Sequence, residues 1–162
     1  MKIVYITLLY FSITLSCFGQ TKMDFYDKNG SVLMDKITVR QFIEELKITK
    51  EKIDTESEIK NDLGGILVHR LHTNGQQDTN WISHDDLDFL STLIDSDKPA
   101  KCVIRDISSN LLHTQKTTLG NQVILILYSC MQKLNYPYKF NICGETAQLY
   151  KKDVVKWLRK RK

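Results

Sequence analysis

Apolar positions in this chain fall first into stripes with helical spacing. Val39, Phe42, Ile43 and Leu46 stand at i, i+3, i+4 and i+7, Thr38 is placed to cap them, and Lys47, Lys50, Glu51 and Lys52 suit the wet side. Thr55 and Glu58 have the form of a capping box, and Ile59, Leu63, Ile66 and Leu67 extend a second stripe behind them. Gly64 and Gly65 weaken that stripe by about 1 kcal/mol each relative to alanine, so a strand over 66–71 competes with the helical reading, which we take as the expectation. Ser83 opens a third helix, with Asp85 and Asp86 at the positive end of its dipole and Leu87, Leu90, Leu93 and Ile94 along one side. Pro99 suits the first turn of a fourth, in which Cys102, Val103 and Ile107 would turn inward and complete a helical hairpin.

Residues 118–134 carry apolar side chains on every side and predict a central helix, capped by Thr117 or Thr118. A buried strand over 123–128 is the competing reading, because the same residues favour sheets. A last helix from about Lys152 packs through Val154, Val155, Trp157 and Leu158. Near the start of the folded region Asn29-Gly30 signals a tight turn, which gives 23–36 the form of a short β-hairpin. The expected fold is therefore mainly α: one small domain of helical hairpins packed around the central helix 118–134, with that hairpin at its N-terminal end. No fixed repeat period runs through it.

The leader changes the address of this fold. Lys2 is followed by an almost unbroken apolar run over 3–13, and Ser16, Cys17 and Gly19 supply the small residues a signal peptidase inspects. Residues 1–19 read as a cleavable signal peptide, and 20–162 as one exported domain with a basic C-terminal helix, periplasmic or secreted. An uncleaved anchor needs about 20 apolar residues, more than this run holds. A lipid anchor at Cys17 is the weaker alternative, because Thr14 stands where such signals usually carry an aliphatic residue.

Charge is unevenly placed. Residues 151–162 hold seven bases and one acid, whereas 20–150 carry a net −3. Lys156, Arg159, Lys160 and Arg161 thus form a candidate site for an anionic partner, whether an acidic protein or an envelope surface. The same charges also stabilise the negative end of the last helix, by a few tenths of a kcal/mol each. Nucleic acid is not the expected partner, since export removes the protein from the usual targets and the remainder is acidic.

Candidate chemistry is sparse. Cys102, Cys130 and Cys143 remain after the leader, and Cys130 with Cys143 is the expected disulfide, because Asn135-Tyr136-Pro137 can turn the chain between them. Nothing local marks any thiol, for instance Cys102 with His113, as an activated nucleophile. His69 and His72 would share one side of a helix, and with His84 they form the least implausible zinc set. No cofactor motif, serine elbow or phosphate loop is present. Trp81, Tyr136, Tyr138 and Tyr150 read as packing residues near element ends, with a recognition surface as the competing reading. These observations point to a non-catalytic binding protein of the cell envelope, of adaptor or immunity type, the likeness to immunity proteins being one of size and address alone. The alternatives are an extracytoplasmic metal-dependent hydrolase using His69, His72 and His84, and an envelope-associated structural protein that binds anionic surfaces through its basic tail.

Overall fold

The computed structural model describes residues 24–48, 69–105, 117–139, 141–143 and 146–161. The expected signal peptide 1–19, the expected capping box at Thr55, the glycine pair at 64–65, Ile107 and His113 lie outside the described residues. Three stretches take the form their local pattern predicts. Val39–Leu46 is helix α1, with Thr38 and Gln41 closing a reciprocal capping box and Val39, Phe42, Ile43 and Leu46 all buried. His84–Ser91 is α2, capped by the equivalent Ser83 and Asp86 pair. Leu119–Met131 is α3, whose cap is Thr118: its hydroxyl accepts from Asn121 N–H at 3.2 Å. Nine of its residues are buried, and this central helix settles 123–128 as helical.

Around these helices the chain builds a sheet that its local pattern hides, so the fold is a mixed α/β arrangement and not mainly α. Val32–Leu33 (β1), Arg70–Asn74 (β2), Cys102–Arg105 (β4) and Asn141–Ile142 (β6) form one four-stranded sheet in the order β1-β2-β4-β6. The first three strands run parallel and β6 runs antiparallel to β4. Pro99–Ala100 (β3) and Thr117–Thr118 (β5) make a separate antiparallel pair. Two expectations are corrected here. The segment around Leu71 is a strand, with Leu71 and Thr73 buried and Arg70, His72 and Asn74 exposed. The expected helix from Pro99 is replaced by β3 and β4, in which Cys102, Val103 and Ile104 are buried in succession, as in a parallel strand covered on both faces. Proline is tolerated at the first residue of a strand for the same reason as at the first turn of a helix, since no ladder there needs its missing N–H.

Register places Val32, Leu71, Thr73, Val103 and Ile142 on one face of the sheet. Val32, Leu71, Val103 and Ile142 join α1 and α3 in one buried cluster with Phe42, Ile43, Leu46, Val123, Ile124 and Leu127. The turn before β1 has the expected tight form: Gly30 adopts φ 77°, its N–H donates to Asp27 O, and Leu33 N–H donates to Phe25 O at 2.8 Å. Asp27 organises that turn by accepting from Asn29 and Ser31 N–H. These bonds, led by the one from Ser31, hold its carboxyl below the ordinary range.

Two polar seams lock loops onto this core. Gln77 exchanges both backbone hydrogen bonds with Tyr136, at 2.7 and 2.9 Å, and its side-chain amide donates to Met34 O. Trp81 donates its indole N–H to Ile37 O at 2.8 Å and stacks on Tyr136, while Phe42 meets both rings edge-on. Trp81 and Tyr136 are therefore packing residues, Tyr136 being fully enclosed with its hydroxyl unpartnered among the described residues. Tyr138 and Tyr150 belong to a different, half-exposed group around Tyr128, which lies 3.9 Å from Tyr150 and 6.0 Å from Tyr138, centroid to centroid.

Candidate functional site: a cationic helix face

Ala147–Arg159 is helix α4, five residues longer at its N-terminal end than the apolar stripe from Lys152 indicates. Ala147 and Val154 are buried, and Tyr150, Val155, Trp157 and Leu158 pack partly against the core, so the opposite face is left to polar residues. Helical spacing brings Lys152, Lys156 and Lys160 into one i, i+4 row and sets Lys151, Val155 and Arg159 beside it. An open hollow of about 720 Å³ runs along this side, and the described residues lining it are these six and Gln148. Among the described residues the hollow is lined by α4 and its C-cap Lys160 alone, as a charged helix face.

The helix is moored near its start. Gln148 donates its amide N–H to Asn121 Oδ1 at 2.8 Å, tying α4 to α3, and Lys151 Nζ reaches Asp95 at 2.7 Å. Among the described residues no ion pair holds Lys152, Lys156, Arg159 or Lys160. Of the four cations named from sequence, Lys156, Arg159 and Lys160 share the face. Arg161 does not: its guanidinium lies over the Trp157 ring, 4.3 Å from the centroid, on the other side of the helix. Lys151 and Lys152 were missed. The i, i+4 and i+8 relation of Lys152 to Lys156 and Lys160 was already present in the helix expected from about Lys152, whereas Lys151 joins the face only in a helix that starts earlier, and Thr146 provides no side-chain cap to announce that start.

The cysteines pair differently from expectation. Cys102 is bonded to Cys143, not Cys130 to Cys143. The physical reason is topological: Val103 pairs with Ile142 across β4 and β6, so Cys102 and Cys143 fall directly opposite each other one step further along, with Cα atoms 4.5 Å apart. Cys130 lies on α3, where burial pushes its thiol up and the nearby Arg161 guanidinium offsets only part of that rise. That environment disfavours a thiolate and so disfavours nucleophilic attack.

The three histidines are separated by secondary structure. Cys102 N–H donates to His69 O at 2.8 Å, so His69 continues the β2 ladder, and a strand sends positions three apart to opposite faces. His72 is exposed on β2 and His84 occupies the first turn of α2. Among the described residues no three His, Cys, Asp or Glu side chains come together as a metal-binding group, and no helix is long and apolar enough to cross a membrane. No protein-family model, curated protein or solved structure matches this chain.

Proposed function

We propose that the protein is an exported, non-catalytic interaction protein of the cell envelope that docks on an anionic partner through the exposed face of α4. The observation that carries this reading is the alignment of Lys152, Lys156, Arg159 and Lys160 on one helix face with no ion pair to neutralise them among the described residues. Export is supported by the signal-like character of 1–19 and by the Cys102–Cys143 bond, since such bonds persist in oxidising compartments and are rare in the cytosol.

The helix macrodipole is too short-ranged to account for the whole face. It favours cations in the last turn, where Lys156 and Arg159 sit, but its influence fades within one turn and does not reach Lys151 or Lys152. Repulsion along the row costs the isolated helix about 0.2–0.5 kcal/mol for each like-charged i, i+4 pair. A counter-charge from outside the chain would relieve that cost. The test is fractionation of an exporting host. Wild type should sediment with envelope material at low salt and come off at high salt, whereas the quadruple variant K152E/K156E/R159E/K160E should stay soluble. Equal sedimentation of the two, or a wild type that never sediments, refutes the reading.

A further inference from the structure

The composition of the α4 face identifies the class of partner. Four of its five cations are lysines, Lys151, Lys152, Lys156 and Lys160, with Arg159 the exception. Protein interfaces select arginine, tyrosine and tryptophan and are depleted in lysine. Lysine is a hydrated point charge on a flexible stem, able to follow phosphates that hold no fixed position, whereas arginine suits a partner with rigid, forked acceptors. The aromatic residues of α4 are turned elsewhere, Tyr150 onto Tyr128 and Trp157 beneath Arg161. Beside the lysines stands Leu149 instead, 74% exposed and in line with Lys152, Lys156 and Lys160 at spacings of three, seven and eleven.

A row of lysines on an exposed helix, bordering an open hollow and flanked by the unburied aliphatic side chain of Leu149, matches a fluid anionic surface better than a folded partner. Clusters of four or more basic residues on a helix bind anionic lipid with about 1 kcal/mol per charge. We propose that α4 lies flat on an anionic phospholipid bilayer, Lys152, Lys156, Arg159 and Lys160 among the headgroup phosphates and Leu149 at the acyl boundary. This rests on the anionic-partner reading of the same face and adds its occupant.

The test is co-sedimentation of the chain recovered from an exporting host with phosphatidylcholine vesicles, with and without phosphatidylglycerol, at low and physiological salt. Soluble polyphosphate and polyglutamate serve as parallel probes. Wild type should bind only the phosphatidylglycerol vesicles, and salt should weaken binding. Lys152→Gln with Lys156→Gln should lower the partition constant about 30-fold, two charges at the value above. Leu149→Ser should weaken vesicle binding several-fold and leave polyphosphate binding unchanged. Both sets of substitutions fall on exposed positions, and unaltered circular dichroism would show that the fold persists. Binding to polyphosphate or polyglutamate without binding to vesicles overturns the lipid assignment and leaves the anionic-partner reading standing. Binding to none of the three overturns both. Equal binding to neutral vesicles, or a Leu149→Ser chain that binds like wild type, overturns the proposed seating.

Discussion

Gly120 separates two physical effects of opposite sign. It sits in the first turn of α3, where helix propensity alone predicts that Gly120→Ala would stabilise by up to about 1 kcal/mol. The structure opposes this. A Cβ at Gly120 would lie 2.6 Å from Ile94 O, 2.7 Å from Ser96 O and 3.1 Å from Ser96 N, all backbone atoms of the turn that follows α2. None can swing aside as a side-chain tip would. The same contact carries two hydrogen bonds, Gly120 N–H to Ser96 O at 3.0 Å and Leu119 N–H to Lys98 O at 2.8 Å, which the displaced turn would stretch. Overpacking of this kind costs about 1–3 kcal/mol, and each weakened hydrogen bond adds up to about 1 kcal/mol. Net of propensity, Gly120→Ala should destabilise by about 2–3 kcal/mol. Urea denaturation of the oxidised chain measures this as a lower midpoint at unchanged slope. A midpoint equal to or above wild type would refute the close-approach argument and leave propensity in charge.

Four further outcomes follow from the structure. Tyr136→Phe keeps the stack on Trp81 and removes a buried hydroxyl that has no partner, so it should stabilise by about 1 kcal/mol, whereas Tyr136→Ala should cost about 3–5 kcal/mol. Burial raises the Tyr136 phenol far above its ordinary value of about 10 and pushes Tyr138 up to about 12. The stability these neutral phenols contribute is therefore complete below about pH 10 and is lost as pH rises beyond it, and Tyr136→Phe should flatten that decline in alkaline denaturation curves. Breaking the Cys102–Cys143 bond, which spans 41 residues, should cost about 4 kcal/mol on the chain-entropy model, while Cys130→Ser should leave the shift on reduction unchanged. Lys133 holds φ 55° just after α3, so Lys133→Gly should stabilise by about 1 kcal/mol in thermal melts.

Legibility in the sequence followed the range of the forces involved. Thr38 with Gln41 and Ser83 with Asp86 announce their helices because a cap and its first turn are neighbours in the chain. Residues 119–131 declare a helix by length, since the apolar run outlasts an ordinary strand. The parallel strands were hidden. Arg70–Asn74 and Cys102–Arg105 are short, and what makes them strands is a partner some thirty residues away, which no local period encodes. The cysteine pairing inherited that blindness, because Cys143 meets Cys102 only once β6 lies beside β4. Of the lysines on the candidate face only Lys151 lay before the helix expected from about Lys152, since the start of α4 at Ala147 carries no side-chain cap.

The bond between Cys102 and Cys143 also decides how mechanical load would travel. Strand β6 is two residues long, and α4 begins four residues after Cys143. A helix gripped from outside would pull along that short connection, and a two-residue ladder would peel at small force. The sulfur bridge lies between the grip and the ladder, so tension enters β4 at the middle of the sheet through a covalent link. Whatever holds the helix holds the body of the molecule, and oxidation is what makes the handle firm.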